Sequence, residues 1–209
     1  MKERSDLGGG QALSQGEARS IKVRMGYGWQ KFSDDEPKAN GREILHDEFW
    51  QSLKALFDPW YKGFNEKHDI QVSFGRLRAN HGRLVWPCIA KKIDDAYLLV
   101  FDVAASPNDG IPQCGKVKFE EVVTELNSNV LIELGYALGK GKQVILMCPK
   151  HLFHKVPSDL KGFLWTQYTC VITDKGLKRT LVDQYGAQNA FLAILREIEN
   201  KITGKDNDD

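Results

Sequence analysis

The chain has 209 residues, 42% hydrophobic and 27% charged, with a formal net charge of +1, the balance of an ordinary globular domain rather than a disordered or fibrous chain. That near-neutral charge gives no electrostatic basis for binding nucleic acid or a membrane surface. No apolar run approaches the roughly 20 residues that span a bilayer, and the length suits a single domain with a sizeable core.

Residues 1–19 are polar, include Gly8, Gly9 and Gly10 in a row and show no apolar periodicity, so a flexible lead without the apolar segment of a signal peptide is expected. Ser20 to Trp29, "SIKVRMGYGW", reads as a first strand with Ile21, Val23 and Met25 on one face. From Arg42 to His68, Leu45, Phe49, Leu53, Leu56 and Phe57 recur at helical spacing, and Pro59 is expected to end or kink that helix. A second short strand follows over 69–78, then a helical stretch over 80–96 that contains Pro87.

"YLLVFDVA" (97–104) is an apolar run carrying Asp102, the pattern of a central strand covered on both faces. Irregular sequence then runs to Leu126, followed by a helix from Asn127 and a strand over 142–148. A loop leads to a strand over 166–173 and to a last amphipathic helix near 187–202, where Phe191, Ile194, Leu195 and Ile198 share a face. Residues 204–209 read as a disordered tail. About five strands alternating with helices predict one α/β domain over 20–203, an open parallel sheet wound on both faces. Ligands bind such sheets beyond the carboxyl ends of the strands, at the switch in strand order. That edge is expected to carry the loop after Trp29, Asp102, and the helix entry at Asn127.

Cys88, Cys114, Cys148 and Cys170 lack the paired spacing of a zinc or dithiol site, and the five histidines form no ligand pattern. No metal is expected, and a reducing, cytoplasmic setting is.

"NSNVLIELGYALGKGKQVIL" (127–146) is the most informative stretch. Its opening residues are good helix caps, and Glu133 falls inside a helix whose neighbours Val130, Leu131, Ile132 and Leu134 are all apolar. A buried carboxylate needs a cation, a hydrogen-bond network or a pocket. Interaction with the helix dipole is the plain structural alternative. "GKGK" (139–142) lacks Walker spacing and reads as a helix C-cap.

The same stretch resembles the "NPNV-x-x-E-x-G-Y/F-A-x-x-x-GK-x-VI" signature of bacterial TIR-like domains and, more loosely, the nucleoside 2-deoxyribosyltransferase family. "AKKIDDAYLLVFDVA" and "VPSDLKGFLWTQYT" are similar to the segments that flank it, so the likeness covers roughly 85–173 in order. Ser128 stands where the signature has Pro, and "GYGWQKF" stands where TIR domains carry "F-I-S-Y/H". The resemblance implies a flavodoxin-like fold and an NAD(P)+ glycohydrolase that breaks the nicotinamide–ribose bond, with Glu133 as the catalytic carboxylate. It also implies a homo-oligomer or a separately encoded activator, in antiphage defence. NAD+ or a nucleotide would be the substrate, and no cofactor is implied. A deoxyribosyltransferase-like N-glycosidase and a non-catalytic nucleotide-binding module are the alternatives.

Further candidates lie at the expected ligand edge. Tyr27 or Trp29 can stack on a base or pack as a turn. Asp102 can bond ribose hydroxyls or cap a loop. Asn127 and Asn129 can hold sugar or phosphate besides capping, and Tyr136 lies one turn beyond Glu133, on the site or in packing.

Overall fold

The structure, a computed structural model, describes residues 20–27, 42–68, 70–77, 85–105, 115, 117–173 and 176–204. The expected lead over 1–19, the tail beyond Gly204 and Trp29 lie outside the described residues, and Tyr27 is described as backbone alone. The strands are β1 (Ser20–Tyr27), β2 (Gln71–Arg76), β3 (Leu98–Asp102), β4 (Gln143–Pro149), β5 (Trp165–Thr173) and β6 (Gly176–Leu181). They form one sheet in the order β2-β1-β3-β4-β5-β6. Neighbouring strands from β2 to β5 pair in parallel, and β6 closes the far edge antiparallel to β5.

The fold is therefore α/β, but with a mixed sheet of six strands in place of about five parallel ones. The extra strand escaped the sequence because its buried side is Leu177, Arg179, Leu181. An arginine at the middle inward position erases the apolar alternation by which strands are recognised.

The helices are α1 (Arg42–His68), α2 (Val85–Asp94), α3 (Phe119–Val122), α4 (Ser128–Gly139) and α5 (Gln184–Thr203). α1 runs through Pro59 without ending. Pro59 is itself exposed, while Phe57, Trp60 and Phe64 on the same helix are buried, so tertiary packing outweighs one lost backbone bond. α2 starts later than expected, which puts Pro87 in its first turn, where a missing N–H costs nothing. The irregular stretch after β3 contains α3 and an isolated bridge between Ala104 and Leu126. The loop after β4 holds two 3₁₀ turns, Lys150–Lys155 and Ser158–Leu160. α5 begins at an Asp183 cap whose carboxylate accepts from the Gly186 N–H at 2.8 Å, and it ends at Gly204 with a positive φ of 68°.

Side-chain alternation sorts the sheet into two faces. Val23 of β1 pairs with Phe74 of β2, and Phe74 stacks on Phe57 of α1 at 5.8 Å. Phe57 in turn meets Phe191 of α5 at 5.3 Å. Ile21, Val23, Met25, Leu98, Val100 and Asp102 thus look toward α1 and α5. Lys22, Arg24, Gly26, Leu99 and Phe101 look toward α2 and α4. Every residue of β3 is buried, as a strand covered on both faces requires. Among the described residues no helix is long and apolar enough to cross a membrane.

Candidate functional site

α4 is held at its start by Asn127, whose side-chain oxygen accepts from the backbone N–H groups of Asn129 (3.0 Å) and Val130 (3.1 Å). The Asn127 backbone N–H donates to Val103 O at 2.8 Å, which ties the helix entry to the end of β3. From that anchor the helix buries Val130, Glu133, Leu134 and Ala137. Glu133 is only 5% exposed, and its Oε2 has no hydrogen-bond partner among the described residues. Burial raises its pKa from 4.5 to about 7, because loss of water penalises the charged form and no described cation offsets the loss.

The carboxylate lies over Gly26, the second-last residue of β1. A Cβ built on Gly26 would sit 3.2 Å from Glu133 Oε2 and 2.6 Å from Cδ1 of Phe101. Gly26 and Phe101 are register partners on β1 and β3. Glu133 therefore stands above the seam between these two strands, near their carboxyl ends. β2 lies on one side of β1 and every later strand on the other, so this seam is where the strand order reverses. Glycine at 26 is what leaves room for both the Phe101 ring and the carboxylate.

Asp102 faces the other way. It is fully buried on the α1 and α5 side, where the Tyr168 hydroxyl donates to it at 2.8 Å and the Ala104 N–H at 3.1 Å. Arg179 Nη2 lies 3.8 Å away, with the guanidinium 5.2 Å from the Tyr168 ring centroid. Burial is the largest influence on Asp102 and raises its pKa, while Arg179, Tyr168 and the Ala104 N–H act against it. The partners of this carboxylate are thus internal, and the sheet separates it from Glu133.

Tyr136 joins α4 to α2: its hydroxyl donates to the Asp94 carboxylate at 3.2 Å and its ring meets Trp86 edge-on at 5.4 Å. Asn129 is exposed in the first turn of α4. Tyr27 sits opposite Asp102 in the β1–β3 register. The structure places Asn127 at the N-cap of α4, Asn129 exposed in its first turn and Glu133 buried a turn further on, and turns Tyr136 toward α2 and Asp102 beneath the sheet. Lys140 and Gly141 close the helix as its C-cap, Gly141 at a positive φ of 65°. No group of three or more His, Cys, Asp or Glu side chains that could hold a metal occurs among the described residues.

Two features of this arrangement escaped the sequence reading. Gly26 carried a signal, a glycine inside a strand pattern, which marks a close approach. The Asp102–Tyr168–Arg179 cluster carried none, since Asp102 and Tyr168 stand 66 residues apart. No family model and no curated protein matches the chain.

Proposed function

We propose that the chain is an N-glycosidase that cleaves the nicotinamide–ribose bond of NAD(P)+, with Glu133 as the carboxylate that meets the ribosyl cation. The observation that carries this reading is the placement of Glu133: buried, with one oxygen unpartnered among the described residues, above a glycine at the β1–β3 switch point. A protein that needed only a helix-dipole partner would leave the acid in water. The order of the five parallel strands, β2-β1-β3-β4-β5, supports a flavodoxin-like, TIR-like architecture with β6 added at the edge.

The chemistry suits one carboxylate. The C1′–N bond breaks with its electron pair passing to the pyridine nitrogen, so cationic nicotinamide leaves neutral without a proton donor. Positive charge develops on C1′ and the ring oxygen, and an ionised Glu133 stabilises it in a water-poor setting. Water then adds at C1′ and releases one proton.

One observation favours a second reading. With a pKa of about 7, roughly half of Glu133 is protonated at neutral pH, and a protonated acid is what a nucleoside's departing base requires. That is the chemistry of an N-glycosidase acting on nucleosides, with Glu133 as the proton donor. On the resemblance alone, the proposal extends to a cytoplasmic homo-oligomer, or a partner-activated enzyme, in antiphage defence.

The test is a substrate panel. Wild-type protein and Glu133→Gln are incubated with NAD+, NADP+, nucleosides and nucleotides, and released nicotinamide or free base is separated by chromatography. Nicotinamide released by wild type alone supports the main reading, and free base from nucleosides supports the second. Release of neither, with nucleotide binding retained, identifies a binding module and sinks both enzymatic readings.

A further inference from the structure

β1 has neighbours on both sides, and an inner strand of a parallel array is ordinarily apolar on both faces. One face of β1 obeys: Ile21, Val23 and Met25 are 0% exposed. The other carries Lys22, exposed, and Arg24, half-buried. These two cations, Gly75 of β2, and Lys92 and Asp95 at the end of α2 line a hollow of about 420 Å³. We infer that this hollow is a binding site for a small phosphoryl-bearing anion of diphosphate or nucleotide size.

Three observations converge on that ligand. The cations come from β1 and α2, so they meet by tertiary design and not as a run in sequence. Together with Asp95 they sum to a charge of +2 (three cations, one carboxylate), matched to a phosphate or diphosphate group and in excess for a single carboxylate. Arg24 is also preset. Its Nη1 donates to Val23 O at 3.2 Å, and a Cβ on Gly75 would fall 2.6 Å from that same Nη1. Glycine at 75 thus keeps open the space in which the guanidinium lies across the β1–β2 pair. A planar guanidinium held by a backbone carbonyl suits phosphoryl oxygens, and Lys22 and Lys92 add charge around it. The volume exceeds what one inorganic phosphate fills and accommodates a second phosphoryl group or a ribose.

Titration calorimetry of the full chain at low salt tests the site with inorganic phosphate, pyrophosphate and ADP as probes. Saturable binding of pyrophosphate or ADP, tighter than phosphate and weakened by added salt, is the expected result. Arg24→Gln should weaken pyrophosphate about tenfold, and Lys22→Gln, at an exposed position, should weaken it several-fold. Gly75→Ala preserves every charge but displaces the guanidinium, so it should weaken binding while the melting temperature stays close to wild type. Glu133→Gln should bind pyrophosphate as wild type does, whatever becomes of glycosidic cleavage. No saturable binding of any probe at about ten millimolar, or equal binding by wild type and Arg24→Gln, would overturn the inference.

Discussion

Glu133→Gln should make the protein more stable, and the gain should depend on pH in a way that only a desolvated carboxylate produces. In the folded chain burial moves this group from 4.5 to about 7. At ~1.4 kcal/mol per pH unit, that difference corresponds to a penalty of about 3 kcal/mol on the folded state when the acid is ionised. Below pH 4.5 the side chain is protonated whether the chain is folded or unfolded, and the penalty is absent. Between pH 4.5 and about 7 the unfolded chain gives up its proton first, so wild-type stability falls as pH rises. Above pH 7 the penalty is complete and constant. Glutamine is nearly isosteric and never ionises, so the variant should match wild type near pH 4 and exceed it by up to about 3 kcal/mol near pH 8. For a chain of this size that is about 6–12 °C in melting temperature. Urea titrations of both proteins at the two pH values measure it. An equal gain at both, or no gain at pH 8, would show that a partner compensates the charge and would refute the account of the site.

Three further outcomes follow from the same geometry. Cleavage of NAD+ should need ionised Glu133, so kcat/KM should rise with pH and level off above an apparent pKa near 7; a profile falling through that range would assign the acid to proton donation instead. Gly26→Ala places a methyl group 2.6 Å from the Phe101 ring and 3.2 Å from Glu133 Oε2, and should cost about 1–3 kcal/mol in urea titration together with most of the activity per folded molecule. A Gly26→Ala variant of normal stability would show that the seam has room to spare. Asp102→Ala leaves Arg179 buried without its carboxylate and should cost about 3–5 kcal/mol, whereas Asp102→Leu combined with Arg179→Leu should recover most of that loss. Calorimetric melting of single and double variants checks this, and a cost under about 1 kcal/mol for the single change would deny the cluster a structural role.

Apart from β6 and α3, the order of elements was legible in the sequence, because those elements rest on local signals. The apolar run of β3 predicts a strand covered on both faces, Asn127 predicts a helix start, and the isolated Glu133 predicts a buried acid that needs explanation. Those inferences use periodicity and the cost of desolvating a charge, both readable within one stretch. Tertiary structure alone decided what meets what. Asp102 and Glu133 both belong to the carboxyl edge in sequence terms, yet the two-residue alternation of a strand places Phe101 on one face of the sheet and Asp102 on the other. Tyr136 appeared beside Glu133 by spacing, but its hydroxyl went to Asp94 on a neighbouring helix. β6 stayed hidden because its inward arginine is tolerable only where a carboxylate and a tyrosine from other strands surround it. A side chain's company is fixed by register and crossover, and those depend on the whole chain's packing, so no local pattern could have revealed it.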